Sequence, residues 1–385
     1  MAIHFKETFQ SIKGQFLAFP PLAKGVIVVG LIFLVVLLIL SPAQLAKRTT
    51  QSPPSSSSNA TGGLQSQQTD KTVVKASLDF IQNLRRSDGY YEYIARFESQ
   101  CKTEGGQKEC PFNGLRMFET TNAWSMLAYL GGYTIYGDKN FLDLASRDFI
   151  KLDQWCTAYP NHCSWVLVQP LLLYQVNPDP VLLSFLNREG NDVITAQSDN
   201  LMLTSIEARE LAMLHKLTGE QKYLDAAQNR MIQAKVRLAT QTDLYHIGDA
   251  RLKRQSCWYA LAGAQLLSQQ SSIVTQGEIV ELLAVADLEK NLINIAEPIE
   301  IQPCIEAYFI LSEATGEKNY FAYAEGLLDQ FVERFWDNPA KPLLYGEGGT
   351  IMNSRPDLVT HDGDFVLLTD SAYTVYLLSY LYKKP

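Results

Sequence analysis

Three nine-residue stretches of this chain share one pattern: Gly137-Asp-Lys-Asn-Phe-Leu-Asp-Leu-Ala145, Gly219-Glu-Gln-Lys-Tyr-Leu-Asp-Ala-Ala227 and Gly316-Glu-Lys-Asn-Tyr-Phe-Ala-Tyr-Ala324. Each sets an acid directly after a glycine, an aromatic four residues after it and an alanine eight after it. An apolar helical run precedes each glycine. Glycine tolerates the left-handed turn that ends a helix. The aromatic and the alanine, four apart, share one face of the next helix and pack back on the first. Each copy therefore predicts the elbow of a helical hairpin, and a hairpin with a one-sided apolar face needs neighbours to cover it.

The rest of the chain fits the same unit. Helical patterns are expected over 73–84, then in pairs over 121–136 and 139–157, 163–176 and 179–188, and 204–218 and 221–239. Two further pairs, 256–270 with 276–295 and 302–315 with 318–336, precede a last apolar helix over 369–382. Thr121 and Thr369 are expected as caps, Thr204-Ser-Ile-Glu207 as a capping box, and Pro303 as a first helical residue. Segments 121–136, 256–270, 302–315 and 369–382 are apolar nearly all round, as helices inside a ring must be. Short extended pieces are expected only near Leu343–Tyr345 and Phe365–Leu368. If 369–382 pairs with 71–85, six hairpins close into a ring.

This elbow pattern, spread over 71–385, resembles the six-hairpin (α/α)6 toroid superfamily of glycoside hydrolases, polysaccharide lyases, N-acylglucosamine-type sugar epimerases and lanthionine cyclases. The resemblance implies an all-α (α/α)6 toroid and a carbohydrate ligand. It does not select one activity, because fold does not fix function.

Gly25–Leu40 is an uninterrupted apolar run. It covers about 24 Å as a helix, and Leu22, Ala23 and the stem of Lys24 extend it toward bilayer thickness. Segment 22–43 is therefore expected to be a transmembrane signal anchor. Lys6, Lys13 and Lys24 favour a cytoplasmic 1–21 and an extracytoplasmic remainder, although Lys47 and Arg48 on the far side weaken that bias. Cleavage at Ser41-Pro-Ala43 is the rival expectation, and the long leading segment and the proline inside that site count against it. Residues 44–70, rich in Ser, Gln, Thr and Pro, are expected to form a disordered tether. Beyond Arg48 there are 28 basic and 40 acidic residues, a formal charge of −12, which argues against a nucleic-acid partner.

All six cysteines follow the apolar run, which suits an oxidising compartment. Cys101–Cys110 and Cys156–Cys163 are expected as short-loop disulfides, with Cys257–Cys304 as the remaining pair. Cys257 and Cys304 also resemble the zinc-binding cysteines of lanthionine cyclases. That family places a histidine after its second cysteine, whereas Ile305 stands here. Zinc would have to recruit His246 or His361, so a disulfide and no cofactor is the favoured expectation.

The long connections 86–120, 189–203, 240–255 and 337–368 should share one rim, around the N-terminal ends of the inner helices. A funnel there is the default ligand site. Asp249, Glu306 and Asp370 are the candidate acid/base carboxylates, and Tyr345, Trp258, His246 and Arg251 the candidate ligand contacts. Trp124 and Trp165 add aromatic faces, which stack on the C–H face of a sugar while its hydroxyls take hydrogen bonds. Glycosidic cleavage needs two carboxylates across the bond. A lyase or epimerase needs a His or Tyr base beside a cation. The expected function is a membrane-anchored carbohydrate-active enzyme of glycoside-hydrolase type. The alternatives are a non-catalytic glycan- or protein-binding module, or a lyase or epimerase.

Overall fold

A computed structural model describes residues 63–91, 94–96, 102–104, 107–109, 118–160, 163–196, 198–247, 250–269, 271–286, 292–293, 298–338, 341–344 and 365–383. The anchor segment 22–43, most of the tether, Cys101, Cys110, Asp249, Tyr345 and His361 lie outside the described residues. Among the described residues no helix is long and apolar enough to cross a membrane.

Among the described residues twelve α-helices follow in order: α1 Gly63–Asn83, α2 Phe118–Tyr136, α3 Lys139–Ala158, α4 Val168–Val176, α5 Pro180–Thr195 and α6 Leu201–Thr218. Then come α7 Gln221–Thr240, α8 Ser256–Leu267, α9 Gln276–Ala286, α10 Pro298–Thr315, α11 Lys318–Phe335 and α12 Leu368–Ser379. The elbows are built as their pattern predicts. Gly137, Gly219 and Gly316 have φ of 68°, 72° and 74°, and their N–H groups donate to the carbonyls of Tyr133, His215 and Ser312. Across each elbow the aromatic N–H of Phe141, Tyr223 or Tyr320 donates to the carbonyl of the acid three residues before it. Ala145, Ala227 and Ala324 are fully buried. The α4–α5 elbow lacks glycine. It turns on Asn177, with Asp179 capping α5 and Pro180 as its first residue.

The even-numbered helices form an inner ring, α2–α4–α6–α8–α10–α12, and α12 returns to α2 to close it. The odd-numbered helices lie outside, and α1 packs on both α12 and α2. The burial pattern matches. Every residue of α12 and nearly every residue of α8 is buried, whereas α7 buries one stripe: Tyr223, Ala227, Arg230, Met231 and Ala234. At the α2–α12 seam a Cβ on Gly131 would lie 2.8 Å from the Val375 carbonyl, so only glycine permits that approach. Disulfides join Cys257 to Cys304, tying α8 to α10, and Cys156 to Cys163, tying the end of α3 to the approach of α4.

Several boundaries differ from expectation. Helix α1 begins at Gly63, inside the stretch read as tether, and no glycine or proline interrupts 64–83. Helix α6 starts at Leu201, because the Asn200 side chain accepts from the Leu203 N–H. Thr204 is already helical, its hydroxyl donates to the Asn200 carbonyl, and Glu207 makes no capping box. Pro298, not Pro303, opens α10, and Pro303 lies inside it. Thr121 and Thr369 likewise lie inside α2 and α12. Among the described residues the connections carry eight short strands: β1 Ile94–Arg96, β2 Lys102–Glu104, β3 Gln107–Glu109, β4 Leu244–Ile247, β5 Ala250–Lys253, β6 Trp336–Asn338, β7 Lys341–Leu344 and β8 Phe365–Leu367. They pair antiparallel as β1–β8, β2–β3, β4–β5 and β6–β7. Ile94 opposite Leu367 and Arg96 opposite Phe365 join the connection that enters α2 to the one that enters α12.

Candidate active site

At the ring axis is a concavity lined from all six inner helices or their entries, with about 340 Å³ of empty space including open solvent at its mouth. Its wall is aromatic. Trp124 of α2 and Trp258 of α8 flank Tyr373 of α12, with ring centroids 5.8 and 6.2 Å from the tyrosine. Trp165, on the approach to α4, adds a third indole, and Gln169 of α4 a polar group.

The floor is charged but internally matched. Arg209 of α6 pairs with Glu306 of α10 at 2.5 Å, and neither is exposed beyond a few per cent. The Tyr373 hydroxyl donates to the other Glu306 oxygen at 2.5 Å, and the Tyr380 hydroxyl donates to the first at 3.1 Å. Tyr376 and Tyr380 share a hydrogen bond of 3.0 Å. Burial works against the Arg209 charge, but Glu306 together with the phenols of Tyr373, Tyr376 and Tyr380 outweighs it and raises the guanidinium above its ordinary value. Burial likewise pushes the Tyr373 and Tyr380 phenols well up. Lys383, exposed at the far side, lies 3.5 Å from the centroid of the Tyr380 ring. These charged and phenolic groups form the floor of the concavity, a bowl.

A second buried group positions one wall. Glu210 of α6 accepts from the Leu167 N–H at 2.6 Å, satisfying a donor at the start of α4. Burial pushes its carboxyl well above the ordinary range. Glu207, one turn from the bowl, pairs with Arg230 at 2.9 Å and accepts from the Ser198 hydroxyl.

The expected site residues separate on this frame. Glu306 and Trp258 line the bowl. Asp370 is buried in the first turn of α12, three residues before Tyr373 and so on its face, and its carbonyl accepts from the Gln302 amide at 2.9 Å. His246 and Arg251 face each other across the β4–β5 pair and are exposed, and neither is among the described residues that line the bowl. Arg209, Gln169, Tyr373 and Tyr376 were not anticipated. An arginine in the middle of an inner helix was the available signal, because a charge there demands a buried partner. The Cys257 and Cys304 sulfurs are bonded to each other, which takes both thiolates that zinc would require.

No family model and no curated protein matches this chain. Solved structures do. An unsaturated glucuronyl hydrolase specific for heparin aligns at 13% identity and TM-score 0.56, over 81% of this chain and 95% of its own. A family 76 α-mannanase from Bacteroides thetaiotaomicron aligns at 12% identity and TM-score 0.58, over 80% and 94%. An inactive α-1,6-mannanase variant from Salegentibacter, solved with α-1,6-mannotriose, aligns at 13% and 0.57, over 81% and 99%. The chain is a six-hairpin (α/α)6 toroid. The toroid is of the kind these glycosidases share, and its bowl lies among the N-terminal halves of the inner helices.

Proposed function

We propose that the toroid is a membrane-anchored, extracytoplasmic carbohydrate-active enzyme of glycoside-hydrolase type, with its substrate entering the axial bowl. One observation carries this: three tryptophans and two tyrosines wall a cavity above a polar floor, at the centre of a glycosidase-like ring. Aromatic faces take the C–H face of a sugar ring, and the polar floor takes its hydroxyls. The apolar run 22–43 would hold the protein at the membrane, and the disulfides suit an oxidising outer side.

Both Glu306 oxygens are already engaged, so Glu306 holds Arg209 and the tyrosines in place. Proton transfer falls to Asp370, one turn above Tyr373, and to Asp249, which lies in the chain between β4 and β5. Hydrolysis requires two such carboxylates roughly 5–10 Å apart across the scissile bond. The same engagement of Glu306 favours a second reading, a tethered module that binds glycan without cleaving it.

The test is reducing-end release from envelope and extracellular polysaccharides by the full chain, alongside binding of the same glycans. Turnover that disappears in Asp370→Asn and Asp249→Asn while binding persists supports the hydrolase. Binding without turnover in the unmodified protein selects the module. Full turnover in both amide variants rejects the proton-transfer assignment.

A further inference from the structure

We infer that the sugar unit reaching the floor of the bowl is uncharged, a neutral hexose and not a uronic acid. This rests on the carbohydrate reading above and narrows it.

Among the described residues Arg209 is the one cation lining the bowl, and Glu306 matches its charge at 2.5 Å. A uronate carboxylate would have to displace Glu306 from Arg209 or sit beside it, like charge against like, where burial magnifies the repulsion. The unpartnered buried atoms of the lining call for a group that both donates and accepts. Gln169 Oε1 is an acceptor with no hydrogen-bond partner, and Trp258 Nε1 and Arg209 Nε are donors with none. All three residues are at least nine-tenths buried. Hydroxyl groups donate and accept, so a neutral sugar suits both kinds of group. A carboxylate only accepts, so it suits the two donors and leaves Gln169 Oε1 unmet.

Helix N-termini attract anions, but they do not reverse this balance. The effect fades within the first turn. Arg209 and Glu306 lie two turns inside α6 and α10, and Trp124 nearly two turns inside α2. At α4, where Val168 and Gln169 enter the lining, the Leu167 N–H is already taken by Glu210, itself an acid. At α8 the Trp258 N–H donates to the Gln255 carbonyl.

Calorimetric titration of the full chain in detergent micelles tests the inference. The probes are neutral hexose trisaccharides, α-1,6-mannotriose among them, each beside its counterpart ending in a uronic acid. The neutral member is expected to bind more tightly than its uronate partner by about tenfold or more. Gln169→Leu should weaken the neutral sugar by about tenfold with no change in the melting temperature, because it removes a side-chain amide that makes no hydrogen bond to a described residue. Glu306→Gln, where it folds, should move the preference toward the uronate. Equal or tighter binding of the uronate, weakened by Gln169→Leu, overturns the inference and leaves the carbohydrate reading standing. No binding of any sugar, neutral or charged, overturns both.

Discussion

The pair Arg209–Glu306 shows what burial demands of single residues. The Arg209 and Glu306 side chains are 5% and 0% exposed, so each is tolerable only because of the other. Removing one partner, as in Arg209→Ala, should lower stability by about 3–5 kcal/mol, measured by urea unfolding, because it strands a buried charge. The Arg209→Met and Glu306→Leu double variant should recover part of that loss, the remainder reflecting the Tyr373 hydroxyl left without its acceptor. Glu210 makes a prediction about pH. Burial raises its carboxyl well above 4.5, against the pull of the Leu167 and Val168 N–H groups. The folded protein therefore keeps a proton that the unfolded chain releases as pH rises past 4.5. Stability from this group is full below that pH and declines as pH climbs through the folded value. Glu210→Gln keeps an acceptor for the Leu167 N–H and has no proton to lose. Stability measured across pH should decline less steeply in this variant, which should exceed the parent protein at alkaline pH. Asp148, Glu189 and Glu207, also raised by burial, contribute with the same sign and will leave a residual slope.

Between helices, two glycines do different work and should fail differently. A Cβ at Gly219 would touch nothing within 4 Å, so Gly219→Ala costs only its left-handed backbone, about 1 kcal/mol by thermal denaturation. Gly131→Ala instead drives a methyl into the backbone of α12 and should cost about 1–3 kcal/mol by forcing α2 and α12 apart. The two disulfides differ by the length of chain they close. Replacing Cys257 and Cys304 by serine releases a separation of 47 residues, against 7 for Cys156 and Cys163. Chain entropy puts the losses at about 4 and about 2.5 kcal/mol, to be compared in parallel urea titrations.

At the scale of the whole molecule, the ring was legible because its punctuation is local. Gly137, Gly219 and Gly316, each followed by an acid, set the starts of α3, α7 and α11 within a residue or two. Boundaries set by competing caps were not legible: Asn200 prevails over Thr204, and Pro298 over Pro303, through contacts that no spacing rule ranks. Strands of three or four residues are too short to show alternation. In the site, Trp258 and Glu306 could be placed because they lie on inner helices, Trp258 in the first turn of α8 and Glu306 two turns inside α10. The floor they share with Arg209 and Tyr373 could not, because its bonds join residues 97 and 67 positions apart. Closure itself makes a prediction. A chain ending before Leu368 would lack α12, the helix that seals α2 against α10, and should lose cooperative unfolding in circular dichroism melts. A chain starting at residue 63 should keep it.

That α12 is the last of the six inner helices in chain order has a consequence during synthesis. Five hairpins will have emerged from the ribosome while the flanks of α2 and α10 still face water, with no stave between them. The nascent protein spends that interval as an open barrel with sticky edges, until α12 snaps the hoop shut.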